Sequence, residues 1–449
     1  MGKLFGTDGV RGIANKELTA DLAFKLGQAG AKVLTKHQSG KPKILVGKDT
    51  RISGDMLEAA LTAGFCSVGA EVYSVGTIPT PAVAYLTRKY KMDAGVVISA
   101  SHNSMEYNGI KFFNKDGYKL SDDIENEIEE YLIGGKSMGE LPEGEGLGKV
   151  SRLDTGNRDY VDYIKDTVDG NFNSLKIAID CANGASYQCA KILFRELCGN
   201  VLLIHNRPDG ININKDCGST HLQSLQTFVT EHNCDLGLAL DGDADRLLAV
   251  DEKGNVVDGD IIMAICALKL KKDGKLKGNT VVATVMSNLG FFKALEQNGI
   301  SAEKTKVGDR YVLENMLKNG YVIGGEQSGH IIFLEHNTTG DGLLTAVQLT
   351  QALRDSGKKM SDIASVVKIL PQVLVNAKIK NEYKTTYMEN KEVADKIAEI
   401  EKTFEGNGRV LIRPSGTEPL VRVMLEGDDK DFLTQKATCL AKLMEEKFN

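Results

Sequence analysis

The chain has 449 residues, 42% of them hydrophobic and 26% charged, values of a soluble globular protein too long for one ordinary domain. A net charge of −6 argues against a nucleic-acid partner, which wants a clustered basic surface. No apolar run reaches the ~18 residues a membrane span needs, the longest being residues 261–268, so no membrane partner is expected.

The opening MGKLFGTDGVRG has neither the apolar core of a signal peptide nor a myristoylation pattern. The eight cysteines form no C-x-x-C pair. That spacing gives no expectation of a zinc site or redox motif, and the cysteines read as reduced thiols of a cytoplasmic protein.

In chain order, residues 44–46 read as a strand, 54–69 as a helix and 71–75 as the next strand. Residues 177–179, 185–197 and 201–204 repeat that pattern, and a strand at 281–285 with a helix at 289–298 begins it a third time. Such spacings suit strand–helix–strand crossovers and parallel pairing. Residues 134–148 are rich in Gly and Glu, lack periodicity, and read as a linker. After Pro371 the style changes to alternation at 373–380, a polar helix at 391–404 and strands at 409–412 and 420–425. This last part reads as a smaller α+β domain.

Four stretches carry chemistry. The first, GVVISASHNSMEYNGIKFF at 95–113, opens as a buried strand and breaks into a polar loop holding Ser101 beside His102. No G-x-S-x-G elbow surrounds Ser101, so an acyl-transfer serine is not indicated. Ser101 is read instead as the carrier of a covalent phosphoryl group; a plain Ser-rich loop is the alternative, and the other stretches decide between them. Asn108–Gly109 reads as a tight turn leading into residues 110–113, which puts Lys111 on a strand near the serine loop.

The second stretch is DGDADR at 241–246, at the end of the apolar strand 236–240. Asp241, Asp243 and Asp245 alternate with small residues, so the loop curls and the carboxylates converge. Three like charges at such closeness call for a cation, and hard oxygen donors imply Mg²⁺ or Ca²⁺. An EF-hand loop would require Gly where Arg246 stands. Arg246 suits a phosphoryl oxygen beside a metal.

In the third, GGEQSGH at 324–330, Glu326 and Ser328 project together as partners for sugar hydroxyls, and His330 is able to exchange a proton near neutral pH. The fourth, RPSGTEP at 413–419, follows a strand and joins hydroxyls, free amides, Arg413 and Arg422 into an anion nest.

Together with FGTDGVRG at 5–12, these four motifs, in this order and nearly end to end, resemble the α-D-phosphohexomutase superfamily, and within it the bacterial amino-sugar branch. The resemblance implies an α/β fold of four domains round a central cleft, three related mixed α/β units plus a smaller C-terminal α+β domain. Its boundaries are expected at 1–152 (phosphoserine), 153–254 (metal), 255–369 (sugar) and 370–449 (phosphate).

It also implies that phosphorylated Ser101 and the three aspartates hold one Mg²⁺, and that Lys111 and His330 serve as acid and base. Arg11, His102 and Arg246 then line the site, Glu326 and Ser328 grip the sugar, and Arg413, Ser415, Gly416, Thr417 and Arg422 hold the idle phosphate. The implied reaction interconverts hexosamine 6- and 1-phosphates through a 1,6-bisphosphate, with glucosamine or glucose 1,6-bisphosphate as activator. The resemblance leaves room for a homodimer. One departure is Ser104, where the family usually has Pro; a less rigid loop is expected. Mannose or glucose phosphate as substrate, a phosphosugar phosphatase, and a phosphosugar-binding protein without turnover remain as alternatives.

Overall fold

The computed structural model describes residues 4–6, 8–36, 40–415 and 418–449. It falls into two units, Met1–Met286 with Asn298–Val366, and Ser287–Gln297 with Val367–Asn449.

The first unit contains three sheets. One is built from β1 (Val10–Ile13), β2 (Lys43–Lys48), β3 (Glu71–Thr77), β4 (Ala94–Ile98), β5 (Tyr107–Asn114) and β6 (Val150–Arg152), in the order β1-β5-β4-β2-β3-β6. The next has β7 (Lys176–Asp180), β8 (Asn200–Ile204), β9 (Leu236–Leu240), β10 (Leu247–Asp251) and β11 (Val256–Val257), in the order β11-β10-β9-β7-β8. The third has β12 (Thr280–Thr284), β13 (Ser301–Thr305), β14 (Ile323–Gly325) and β15 (Ile331–Phe333), in the order β13-β12-β14-β15.

One topology recurs in all three: β3-β2-β4-β5, β8-β7-β9-β10 and β13-β12-β14-β15. Three strands run parallel and the fourth returns antiparallel on the third. Every residue of β4, β9 and β12 is buried, as expected of parallel strands covered on both faces. The first three chemical stretches therefore occupy equivalent places, each the connection between the third and fourth strand of its module.

Asn108–Gly109 is not a turn. Both residues lie inside β5, opposite Gly12 and Arg11 of β1. The chain reverses earlier, where the Asn103 N–H donates to Ala100 O and the Tyr107 N–H to Ser104 O. The glycine is needed for close approach, since a Cβ at Gly109 would lie 2.6 Å from Ser99 O. Lys111 nevertheless sits on a strand beside the serine loop, opposite Val97. Residues 134–148 hold only the short turn Gly144–Gly146 before β6 joins the first sheet.

A buried polar seam ties the three modules together. Asp341 caps the helix Gly342–Ser356 and accepts from Tyr160 Oη at 2.7 Å and Asn337 Nδ2 at 2.9 Å. Asn337 Oδ1 in turn accepts from Arg88 at 2.9 Å. Among the described residues no helix is long and apolar enough to cross a membrane, and the eight cysteines are free thiols.

The second unit is an antiparallel sheet, β16 (Gln372–Lys378), β17 (Arg409–Pro414) and β18 (Leu420–Glu426), ordered β16-β18-β17. Its core joins Val421, Val423 and Leu425 of β18 to Val393 and Ile397 of the helix Lys391–Thr403 and Leu440 and Met444 of the helix Lys430–Phe448. The helix Leu289–Gln297 follows β12 in sequence, yet its contacts lie with this unit. Its Leu289 N–H donates to Glu426 Oε1 at 2.8 Å, and Asn288 Nδ2 donates to Leu370 O at 2.9 Å.

Candidate active site

Ser101 lies just beyond β4 with φ +54°, a left-handed backbone that an L residue holds only when its surroundings enforce it. Its side chain is enclosed, with the residue only 2% exposed, and Oγ donates to Asp241 Oδ2 at 2.7 Å. His102 Nδ1 lies 3.3 Å from the same hydroxyl. Burial, with Arg246 and Arg11 nearby, pulls the His102 pKa below its usual value and favours the neutral ring.

The loop after β9 supplies the carboxylates. Asp241, Asp243 and Asp245 are buried and offer oxygens within 4.8 Å of one another. Ala244 takes φ +58°, which curls the loop, and Gly242 lets it pass the serine, since a Cβ there would lie 2.5 Å from Ser101 O. Burial, then Asp245 and Asp243, pushes the Asp241 carboxyl well above the usual range. Asp245 goes the other way: burial raises its carboxyl, but His330, Lys111 and Arg246 together lower it further. Asp243 Oδ1 and Asp245 Oδ1 are buried with no hydrogen-bond partner among the described residues. Three converging carboxylates with orphaned hard oxygens fit Mg²⁺.

Lys111 is almost fully buried and bridges Asp243 Oδ2 and Asp8 Oδ2, both at 2.8 Å. Burial opposes its charge, but Asp243 and Asp8 prevail, so the ammonium is held. Asp8 also pairs with Arg11 and with Lys119, and Lys119 pairs with Asp309. This chain reaches His330, whose Nε2 lies 3.5 Å from Asp309 and whose Nδ1 lies 3.4 Å from Asp245. Burial lowers the His330 pKa, and Asp245 and Asp309 more than reverse that. The Gly340 N–H lies 3.0 Å from Nε2 and donates to it when the ring is neutral, leaving the ring proton on Nδ1, towards Asp245. Both ring nitrogens are thus spent inside the protein.

Glu326 and Ser328 stand together, with Ser328 Oγ 3.4 Å from Glu326 Oε2, while Gln327 turns away to Asp258. The Gly308 N–H orients Glu326 through Oε1 at 3.1 Å. A cavity of about 460 Å³ is lined by Arg11, Ser101, His102, Asp245, Arg246, Glu326 and His330, with Asp8, Lys119 and Asp309 also on its wall. The structure thus gathers the motifs of three modules around one space.

Asp8, Lys119, Asp309, Arg51 and Asn214 were not singled out from sequence. Asp8 stood inside FGTDGVRG; the others carry no motif of their own. Arg413 and Arg422 lie in the second unit as direct cross-strand partners. Ser415 beside them is buried, its carbonyl held by Lys384 Nζ at 2.9 Å and its Oγ by the Glu418 N–H at 3.2 Å. Gly416 and Thr417 lie outside the described residues.

Four family models match the chain in order: phosphoglucomutase/phosphomannomutase alpha/beta/alpha domain I at residues 2–137, domain II at 158–254, domain III at 258–369 and the C-terminal domain at 374–442. A phosphoglucosamine mutase of Acetivibrio thermocellus is 62% identical over 447 residues, covering 100% of both chains. A phosphoglucomutase/phosphomannomutase family protein from Burkholderia thailandensis superposes with TM-score 0.81 at 23% identity, over 99% of this chain and 98% of that one. The Aspergillus fumigatus N-acetylphosphoglucosamine mutase, solved with GlcNAc-6P and magnesium, superposes at 0.67 with 17% identity, over 99% and 96%. These two superpositions speak to the fold.

Proposed function

The chain belongs to the phosphoglucomutase/phosphomannomutase family, and from that premise we propose that it interconverts glucosamine 6-phosphate and glucosamine 1-phosphate through a phosphorylated serine. The observation that carries this reading is Ser101 Oγ held 2.7 Å from Asp241 within a cluster of three buried carboxylates. The 62% identity to a phosphoglucosamine mutase over the full length favours the amino sugar over mannose or glucose.

Phosphorylated Ser101 gives its phosphoryl group to the free O1 or O6 hydroxyl of the sugar monophosphate. The P–O bond to serine breaks, the new P–O bond forms on the sugar, and the hydroxyl proton leaves to a nearby base. A 1,6-bisphosphate results, turns round, and returns its other phosphoryl group to Ser101. Asp241, Asp243, Asp245 and an oxygen of phosphorylated Ser101 are suited to hold Mg²⁺, which when bound neutralises charge on the transferring group.

Lys111 and Arg246 add positive charge there. Held as an ammonium by Asp8 and Asp243, Lys111 is suited to act first as the acid, giving a proton to the Ser101 oxygen as the phosphoryl group leaves, and the amine so formed takes the proton of the sugar hydroxyl. His330, with both nitrogens engaged, serves to orient Asp245. Glu326 and Ser328 grip sugar hydroxyls, Arg11 and His102 line the space, and Arg413, Ser415, Gly416, Thr417 and Arg422 hold the idle phosphate. The same reading divides the chain at 1–152, 153–254, 255–369 and 370–449, takes a hexose or hexosamine 1,6-bisphosphate as activator, and places the protein in the cytoplasm.

A coupled assay on glucosamine 6-phosphate with Mg²⁺, beside mannose and glucose 6-phosphates, tests the proposal. The highest kcat/KM is expected for the amino sugar. Preference for another hexose would move the substrate, and phosphate release without isomerisation would replace the mutase with a phosphatase.

A further inference from the structure

Asp180, His205 and Cys217 come together apart from the serine loop. Asp180 ends β7 and His205 follows the last residue of β8, so both stand at the C-terminal ends of parallel strands, where such sheets carry ligands. Cys217 comes back to them from the connection 205–222, directly before the turn Gly218–Thr220. A carboxylate oxygen, a ring nitrogen and the sulfur lie within 4.8 Å of one another.

His205 Nδ1 lies 3.0 Å from Asp180 Oδ2 and, although buried, has no other partner among the described residues. The carboxylate can hold the ring at that distance or share a cation with it. The carboxylate is already braced, with the Ala182 N–H on Oδ1 and the Gly218 N–H on Oδ2, both at 2.8 Å. Metal-ligating carboxylates receive such outer support.

Cys217 is fully buried, and burial, with Asp180 and Asp216, pushes its thiol up to about 12. A cation at the sulfur would convert it to thiolate. One carboxylate, one thiolate and a neutral imidazole then balance a divalent ion. The backbone around the cluster is also strained: Ala182, Asn183, His205, Asn214 and Asp216 all take left-handed φ between 44° and 57°.

We propose that Asp180, His205 and Cys217 form a structural site for a borderline-soft divalent cation of the Zn²⁺ class. Mixed N, O and S donors select such an ion over Mg²⁺. The side chain of His205 is 30% exposed, which leaves a further position open to water. The ion would tie His205, at the start of the connection 205–222, to Cys217 farther along it and to Asp180 at the end of β7. The same connection carries Asn214, which holds the carbonyl of Ser101. The site is distinct from the Asp241–Asp245 cluster and braces the loop beside it.

The full-length protein, stripped with chelator and returned to saturating Mg²⁺, is titrated with Co²⁺ as the probe. One equivalent should develop a thiolate-to-cobalt charge-transfer absorption that Zn²⁺ then displaces. Cys217→Ser and His205→Gln should each weaken Co²⁺ binding by at least the ~100-fold that loss of an outer-shell partner can cost, while Asp241→Asn keeps the absorption. Melting curves without metal establish that the variants fold; should Cys217→Ser fail to, His205→Gln, on a partly exposed ring, decides alone. No charge-transfer absorption at large Co²⁺ excess overturns the proposal. So does an absorption unchanged in the folded variants, which would mean that another of the eight thiols is the ligand.

Discussion

Asn214 holds Ser101 from the neighbouring module: its Nδ2 donates to the carbonyl of Ser101 at 2.9 Å and to that of Asn103 at 2.9 Å. Arg51 grips the same two oxygens at 3.1 and 2.6 Å, and is itself fixed by Asp49. These donors order the loop from its carbonyl side, so the lack of Pro at position 104 does not leave it without restraint. Asn214→Ala should cost about 1–3 kcal/mol, because it removes bonds to largely enclosed carbonyls. It should lower kcat more than it changes KM. Denaturant unfolding and steady-state kinetics check both; an unaltered kcat would free the loop from this clamp.

Ser101→Ala and Ser101→Gly should both abolish phosphorylation and turnover, as phosphopeptide mapping and the coupled assay would show. Their stabilities should differ. At φ +54° a Cβ is strained and glycine is not, so the glycine variant should be the more stable of the two by about 1 kcal/mol.

Mg²⁺ should raise the melting temperature, since it offsets the burial of charge and the repulsion from Asp245 and Asp243 that lift the Asp241 carboxyl. At 100 times its dissociation constant a ligand adds ~2.7 kcal/mol. Asp243→Asn should shrink that increment. Equal melting curves with saturating Mg²⁺ and with chelator, together with activity that survives chelation, would remove the metal from the serine site.

Arg413→Ala should keep Ser101 phosphorylation and raise KM. Loss of a charge-assisted bond to phosphate corresponds to roughly 1.5–3 kcal/mol, or about 10- to 150-fold. More free 1,6-bisphosphate should accumulate per turnover, measurable by chromatography of the reaction mixture. An unchanged KM without leakage would discharge the C-terminal unit from phosphate binding.

Glu125 offers a pH test. Burial and Asp122 push its carboxyl up to about 7. An acid raised on folding stabilises fully below its unfolded pKa of ~4.3, and that contribution is lost as pH rises through the folded value. Glu125→Gln should therefore raise the melting temperature relative to the unsubstituted protein near pH 8, and much less near pH 5. The side chain is partly exposed, so screening holds the effect under ~1 kcal/mol. A difference independent of pH would contradict the assignment.

The strands of the first two modules and the first three motif loops could be read from sequence because their signals are local. Continuous β-branched runs mark buried parallel strands, and Gly and Asp clusters mark the loops at their ends. Asn108–Gly109 misled because a dipeptide typical of turns serves here as a close strand crossing against Arg11 and Gly12. Arg51, Lys119, Asn214 and Asp309 carry no periodicity and no neighbouring motif; only the packing of modules brings them to the site. His330 was legible as a site residue, but not the amide of Gly340 that decides its proton. Asp180, His205 and Cys217 escape any spacing rule, since a strand end and two separated points of one long connection meet only in the fold.

The chain passes between the two units three times, at the junctions around residues 286, 297 and 366. A fragment ending at 366 would keep the helix Leu289–Gln297 while deleting what it rests on: Glu426 for the Leu289 amide, Leu370 for Asn288, and the Arg409 guanidinium 5.9 Å from the ring of Phe292. Such a truncation would show water an amphipathic segment with two adjacent phenylalanines, a surface prone to self-association. A smaller, soluble version of the catalytic half therefore calls for a polar bridge in place of residues 287–297, not merely a stop codon after the third sheet.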